Sequence, residues 1–327
     1  MPAHQHSTEG LSRSARMLRT AFGPAIARYL EDPVIVEVML NPDGRLWVDR
    51  LAEGLAATGE RLSPTDSERI IRLVAHHVGV EAHAGAPLIS AELPESGERF
   101  EGLLPPIVTG PAFAIRKPAV AVFTLDDYVA ARIMTADQAA TLREAIVEHT
   151  NILVAGGTST GKTTLVNALL DEIAKSPDRL LLIEDTRELQ SRSENKVPMR
   201  TKDFIADHLK LARVSMRFRP DRILIGEVRG PEALQLLKLW GTGHPGGLGT
   251  IHAGSSLGAL RRLEQLIQEA VVTVPKDLIA ETIGLVAVLS GRGAARRLSE
   301  LARVDGLALD GNYRITPAAT NPEGGHQ

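Results

Sequence analysis

One stretch constrains this chain more than any other: Gly156-Gly157-Thr158-Ser159-Thr160-Gly161-Lys162-Thr163. It satisfies G-x-x-x-x-G-K-[ST]. It also lies between an apolar run, Ile152–Ala155, and a helical stretch opening with Thr164-Leu165-Val166, the strand–loop–helix context such a loop needs. Glycines there let backbone N–H groups converge on phosphate oxygens at a helix N-terminus, where partial positive charge accumulates. The candidate nucleotide-binding residues are therefore Gly156, Gly157, Thr158, Ser159, Thr160, Gly161, Lys162, Thr163 and Thr164. The Lys162 ammonium would reach the β- and γ-phosphates and the Thr163 hydroxyl would bind Mg²⁺. The competing reading is a chance Gly/Thr-rich turn before a helix.

From Asn151 onward, short apolar runs (Ile152–Ala155, Leu180–Ile183, Ile223–Ile225) alternate with helical stretches (Lys162–Ala174, Lys202–Met216, Pro231–Trp240). That alternation predicts an α/β fold, a mainly parallel sheet covered by helices. In such a sheet the residues after each strand gather at the edge that carries the phosphate loop. Two acidic clusters occupy those positions: Glu184-Asp185-Thr186-Arg187-Glu188-Leu189, and Gly226-Glu227-Val228-Arg229. A nucleotide hydrolase needs one carboxylate to orient or deprotonate water and an acid to hold Mg²⁺, directly or through water. Taken singly, each acid also reads as a solvated strand end. A third segment, Thr242–Ala253, is poor in charge and rich in glycine, and ends in a strand with His252. A histidine there would hydrogen-bond the γ-phosphate and report its presence; a structural histidine is the plain alternative.

Composition narrows the function. The 327 residues suggest two domains at ~100–200 residues each. The absence of cysteine removes thiol nucleophiles, thiolate zinc sites and iron–sulfur clusters, and fits a reducing cytoplasm. A formal net charge of -3 provides no whole-molecule attraction to nucleic acid or anionic lipid. No apolar run reaches the ~18–20 residues that span a bilayer. The opening MPAHQHSTEG reads as a polar tail without signal-peptide character.

The first part of the chain reads as a smaller α+β domain over residues 1–120. Leu11, Ala15, Leu18, Phe22 and Ile26 recur at helical spacing among Arg13, Arg16, Arg19 and Arg28, so 11–30 is a basic amphipathic helix. It would pack on its own domain or lie on an anionic membrane surface. Asn41-Pro42-Asp43-Gly44 between Val34–Leu40 and Arg45–Asp49 predicts a hairpin, and Ser63-Pro64 opens a helix. Further strands are expected near Leu88–Leu93, Arg99–Leu103 and Ala112–Arg116. Residues 121–135 read as a linker, Thr135-x-x-Gln138 as a capping box opening the second domain (136–317), and 318–327 as a flexible tail.

The phosphate loop, the acidic box Glu184–Leu189, the stretch Arg217-Phe218-Arg219-Pro220-Asp221-Arg222 leading into Gly226-Glu227-Val228-Arg229-Gly230, and the TGHPGG…TIHA run together resemble the traffic ATPases of type IV secretion and conjugation. The hairpin MLNPDGRLWVD and the segment GERFEGLLPP…FAIRKP resemble that family's N-terminal domain, so the likeness covers most of the chain. It implies a RecA-like P-loop ATPase domain after the α+β domain, with ATP and Mg²⁺ as cofactors. It also implies a homo-oligomeric ring, a hexamer, at the cytoplasmic face of the inner membrane, with proteins of a conjugation or type IV secretion apparatus as partners. By the same likeness, Glu188 is the general base, Glu227 the Walker B acid, His252 the His-box residue, and Arg99 and Arg116 reach the nucleotide phosphates. Matches at Arg217, Arg219, Arg229 and His244 are looser. Glu227 stands where many P-loop proteins carry Asp, which leaves direct or water-mediated contact with Mg²⁺ open. The alternative on the same core is a nucleic-acid translocase or helicase; two Trp, three Tyr and six Phe are few for stacking bases along a channel. A kinase using the same loop is a third reading.

Overall fold

A computed structural model describes residues 3–51, 53–93, 97–118, 122–202 and 205–319, with side chains from residue 17. The chain divides into two compact units, 1–120 and 121–327.

In the first unit, α1 (Ala3–Glu31) is followed by β1 (Ile35–Leu40), β2 (Arg45–Arg50), β3 (Gly54–Arg61), α2 (Pro64–His77), β4 (Leu88–Glu92), β5 (Arg99–Leu103) and β6 (Ala112–Arg116). The strands pair antiparallel in the order β3-β2-β1-β6-β5-β4. The expected hairpin turns at Gly44, whose φ of 79° a β-carbon would disfavour and whose neighbour, the Leu62 carbonyl oxygen, would stand 2.5 Å from it. Ser63 caps α2 by accepting from Asp66 N–H, with Pro64 in the first turn. Leu18, Phe22 and Ile26 of α1 share a core with Val38, Leu40, Val48, Ile70, Ile71, Val74, Phe100 and Ile115. These three α1 residues are therefore spent on the unit's own core and are not available to lipid.

Two expectations change here. The helix starts at Ala3, so the segment read as a polar tail is mostly helical, and it breaks at Gly23 (φ 72°, ψ 172°) ahead of Pro24, which cannot donate to the ladder. Strand β3 had no strong signal in the sequence. Its segment GLAATGER is a sheet-edge strand that buries none of its residues, so it has no apolar period to display.

The second unit contains α3 (Leu125–Ala130), α4 (Ala136–Val147), β7 (Ile152–Gly156), α5 (Lys162–Ile173), β8 (Leu180–Glu184), β9 (Lys196–Arg200), α6 (His208–Ser215), β10 (Arg222–Ile225), α7 (Glu232–Gly241), β11 (Leu248–Ile251), α8 (Ser256–Gln268), α9 (Lys276–Thr282), β12 (Leu285–Ser290), β13 (Arg297–Leu307) and β14 (Tyr313–Pro317). Its sheet runs β14-β13-β12-β7-β11-β10-β8-β9. The six strands from β12 to β9 are parallel, and β13 and β14 add an antiparallel edge. Ile152 and Val154 enter one core and Leu153 and Ala155 the other, which is why this strand reads as an unbroken apolar run.

Leu125 and Tyr128 of α3 are buried in that first core, so the stretch expected as a linker belongs to the second unit. The helix expected over Lys202–Met216 is shorter, because Asp207 caps it by accepting from Lys210 N–H. Ala318 N–H donates to Leu301 O, and Ala318 and Ala319 pack on the core, so order extends past 317; residues 320–327 of the expected tail lie outside the described residues. Among the described residues no helix is long and apolar enough to cross a membrane.

At the edge opposite the phosphate loop, Arg222 is only 1% exposed. It donates to Asp178 (2.6 Å), to Ile146 O (2.8 Å) and, at 3.5 Å, to Gly246 O, tying the start of β10 to the end of α4 and the loop before β11. Arg222→Met strands a half-satisfied aspartate and two carbonyls, and is expected to lower unfolding stability by about 3–5 kcal/mol in urea titrations. The double variant Arg222→Met/Asp178→Leu should recover much of that loss.

Candidate nucleotide site

The phosphate loop leaves β7 at Gly156 and enters α5 at Lys162. Gly161 caps the helix at φ 94°, and a β-carbon at Gly156 would stand 2.5 Å from Thr160 Oγ1 and 2.7 Å from Leu289 O. Both glycines are thus required by shape. Thr160 Oγ1–H donates to Gly157 O (2.9 Å), and Ser159 takes a positive φ of 62°. Lys162 is 9% exposed and its ammonium donates to Gly156 O and Gly157 O, each at 3.1 Å.

Parallel pairing brings the other expected groups to this edge. Leu224 and Ile225 of β10 face Leu248 and Gly249 of β11, and Val228 N–H continues the ladder to Thr250 O at 2.9 Å. The Thr250 hydroxyl donates to Gly226 O at 2.7 Å. Glu227 and His252 are thereby fixed side by side. Lys162 Nζ lies 3.4 Å from His252 Nδ1, and His252 Nε2 lies 3.0 Å from Glu227 Oε1. An ammonium only donates and a carboxylate only accepts, so the arrangement is met by a neutral imidazole with its proton on Nε2. Burial, and then the Lys162 charge, hold the His252 pKa below its ordinary value while Glu227 pulls it up, which favours that neutral form. Glu227 Oε2 accepts from Arg229 (2.5 Å), which also reaches Asp185 at 3.4 Å.

The acidic box approaches from β8. Thr163 Oγ1–H donates to Glu188 Oε2 at 3.2 Å. Two buried side chains hold this loop in place. Glu184 Oε1 accepts from Glu188 N–H (2.8 Å) and Leu189 N–H (2.6 Å), while Asn167 donates to Glu188 O (3.0 Å) and accepts from Gln190 N–H (2.9 Å). Burial pushes the Glu184 carboxyl up to about 7, against the two N–H bonds, which favour its ionised form.

The expected residues thus fall into three groups. Gly156 to Thr163, Glu188, Glu227 and His252 meet at one edge of the second unit's sheet. Thr163 lies against Glu188, whereas both oxygens of Glu227 are engaged by His252 and Arg229. Arg99 and Arg116 belong to the first unit, directly opposite each other on β5 and β6, with Glu37 next in the row; Arg99 pairs with Glu101 at 3.1 Å. Arg217, Arg219 and His244 lie toward the N-terminal ends of β10 and β11, and His244 Nδ1 contacts Pro220 O at 2.9 Å. Asn167 and Thr250 were not singled out from the sequence. For Asn167 the available signal was a polar residue on the buried face of α5.

The family described as Type II/IV secretion system protein matches residues 89–303. This chain belongs to that family. The family match takes in the phosphate loop, both acidic clusters, His252, Arg99 and Arg116. The conjugal transfer protein TrbB of Rhizobium radiobacter is 46% identical over 316 residues, covering 96% of this chain and 97% of the relative. The type IV secretion system protein PtlH of Bordetella pertussis is 31% identical over 322 residues, covering 86% and 94%. The pilus retraction motor PilT, solved with bound ADP, has a similar fold: TM-score 0.60 at 18% identity over 90% of this chain and 82% of that one.

Because the Glu184 pKa is raised on folding, the folded state keeps a proton that the unfolded chain loses above its ordinary value of 4.5. The sign follows: this group costs stability as pH rises through about 7, by on the order of 2–3 kcal/mol. Glu184→Gln keeps an acceptor for both N–H groups and removes the ionisation. Its stability relative to wild type is expected to grow between pH 5 and pH 8 in denaturant titrations; a difference independent of pH contradicts this.

Proposed function

We propose that the chain is an ATP hydrolase, a ring-forming motor that powers conjugative transfer or type IV secretion. The observation that carries the reading is the convergence on one phosphate loop of Glu188, hydrogen-bonded to Thr163, and the chain Lys162–His252–Glu227. In this reading the second unit is a RecA-like P-loop ATPase domain and the first a regulatory α+β domain.

Bound ATP would exchange the Gly156 and Gly157 carbonyls at Lys162 for β- and γ-phosphate oxygens, leaving the loop amides to face the triphosphate. Glu188 positions a water in line with the γ-phosphorus and takes its proton as the new P–O bond forms. The bond from phosphorus to the β–γ bridging oxygen breaks, and ADP and phosphate result. His252, neutral and linked to Glu227, donates toward the γ-phosphate when the nucleotide is present and returns to Glu227 when it is not. Thr163 and the carboxylates Glu188 and Glu227 are hard oxygen donors of the kind that suits Mg²⁺. When bound, the ion would neutralise charge between the β- and γ-phosphates. For Glu227, already held by His252 and Arg229, a water-mediated contact fits better than direct ligation.

Arg99 and Arg116 stand opposite each other on the first unit's sheet, beside Glu101 and Glu37. They would approach the phosphates of a bound nucleotide and so couple domain closure to ATP binding and opening to hydrolysis. A hexameric ring acting at the cytoplasmic face of the inner membrane through proteins of a secretion apparatus is the assembly proposed. What supports it is the family membership and the names of the relatives.

Lys162→Ala is expected to abolish turnover and weaken nucleotide binding. Glu188→Gln should bind ATP normally and lose kcat by about 10²–10⁴-fold; an unchanged kcat assigns the base elsewhere. Arg99→Ala and Arg116→Ala should fold normally and turn over ~10³ more slowly; wild-type kinetics in both returns them to surface ion pairing. Light scattering should show a ring with a non-hydrolysable ATP analogue, and a monomer with and without it removes the ring mechanism.

A further inference from the structure

Arg296 drew no notice in the sequence, yet it stands against the phosphate loop. Strand β12 runs beside β7 with Leu289 opposite Gly156, so the β12–β13 hairpin leaves the sheet at the loop. Gly291, at φ 74°, packs so closely on the Ala295 carbonyl that no β-carbon fits there, and the 3-10 turn Gly293–Ala295 then delivers Arg296. The guanidinium reaches the first residue of the helix cap: a β-carbon at Gly161 would lie 3.0 Å from Arg296 Nε and 3.2 Å from Cζ.

Three features of this placement are unfavourable in the free chain. A cation sits at the positive end of α5. Its Nε is buried without a hydrogen-bond partner, and the hydroxyl of Tyr128, which feels the Arg296 charge and is only 2% exposed, is likewise buried and unpartnered. No carboxylate pairs with Arg296 among the described residues. A bound anion would offset the cation at the helix terminus and give the Arg296 guanidinium a partner, and the sheet order says which part of it. His252 and Glu227 follow β11 and β10 on one side of β7, and Arg296 follows β12 on the other. The γ-phosphate belongs with Lys162, His252 and the acids, so Arg296 flanks the portion of the nucleotide that remains after hydrolysis.

We propose that Arg296 is a nucleotide-binding residue supplied by the β12–β13 hairpin, holding the diphosphate portion common to ATP and ADP. This rests on the nucleotide reading of the site, and the test separates the two. The full-length chain is titrated calorimetrically with ADP, assayed for ATP turnover, and melted with and without ADP, as wild type, Arg296→Met and Arg296→Lys. In Arg296→Met, ADP affinity is expected to fall and the KM for ATP to rise by about ten- to a hundredfold. The ADP-induced rise in Tm is expected to be lost, while the melting temperature of the free chain is kept or raised. Arg296→Lys, which keeps the charge, should fall between, and carries the test by itself if the methionine variant does not fold. Four results overturn the proposal: ADP affinity within about twofold of wild type in the variants, a loss confined to kcat, a lowered melting temperature in the free chain with ADP affinity retained, or an ADP response unchanged in Arg296→Lys where that variant alone folds. Absence of ADP and ATP binding by the wild type overturns the nucleotide reading itself.

Discussion

Parallel pairing of β7 with β11 on one side and β12 on the other is the constraint on which the rest of this structure depends. Each parallel strand needs its own crossover, so successive strands enter from the same end and leave at the same end. Groups far apart in sequence therefore collect at one edge: the phosphate loop after β7, the acidic box after β8, Glu227 after β10 and His252 after β11. A change of register along β11 would separate Thr250 from Gly226, and with it His252 from Glu227.

The electrostatics at that edge alternate in sign across short contacts: Lys162, then neutral His252, then Glu227, Arg229 and Asp185. Keeping the histidine neutral lets one ring serve an ammonium and a carboxylate at once. Glu184 has a different task. Its carboxyl is spent on two backbone amides of the acidic box, which leaves Glu188 to face Thr163. Asn167 holds the same loop from α5, so the position of the proposed base is set by two buried polar side chains that grip the backbone of Glu188 and its neighbours.

Much of this was readable before any coordinates. The loop motif, the apolar runs and the acids after them rest on local rules, since strand and helix periods and glycine's freedom at Gly161 are properties of short segments. The expected helix over Leu11–Leu30 overlooked a local signal, Gly23-Pro24, that breaks it. Strands β3, β9, β13 and β14 have exposed or irregular faces that give no apolar period, and their pairing partners supply the order; β12, the buried apolar run Leu285–Ser290, carries a signal in the sequence that the expected strands left out.

By itself the sequence determined the chemistry available, namely a phosphate-binding loop, two acidic strand ends, a histidine and no thiol, because residue identity and spacing within one segment suffice for that. Only the tertiary structure decided which of these groups meet. That Glu188 touches Thr163, that His252 bridges Lys162 to Glu227, and that Arg296 arrives at Gly161 from more than a hundred residues away all depend on strand order and register. Those are fixed by burying two apolar faces of one sheet at once, a condition on the whole chain that no single segment carries.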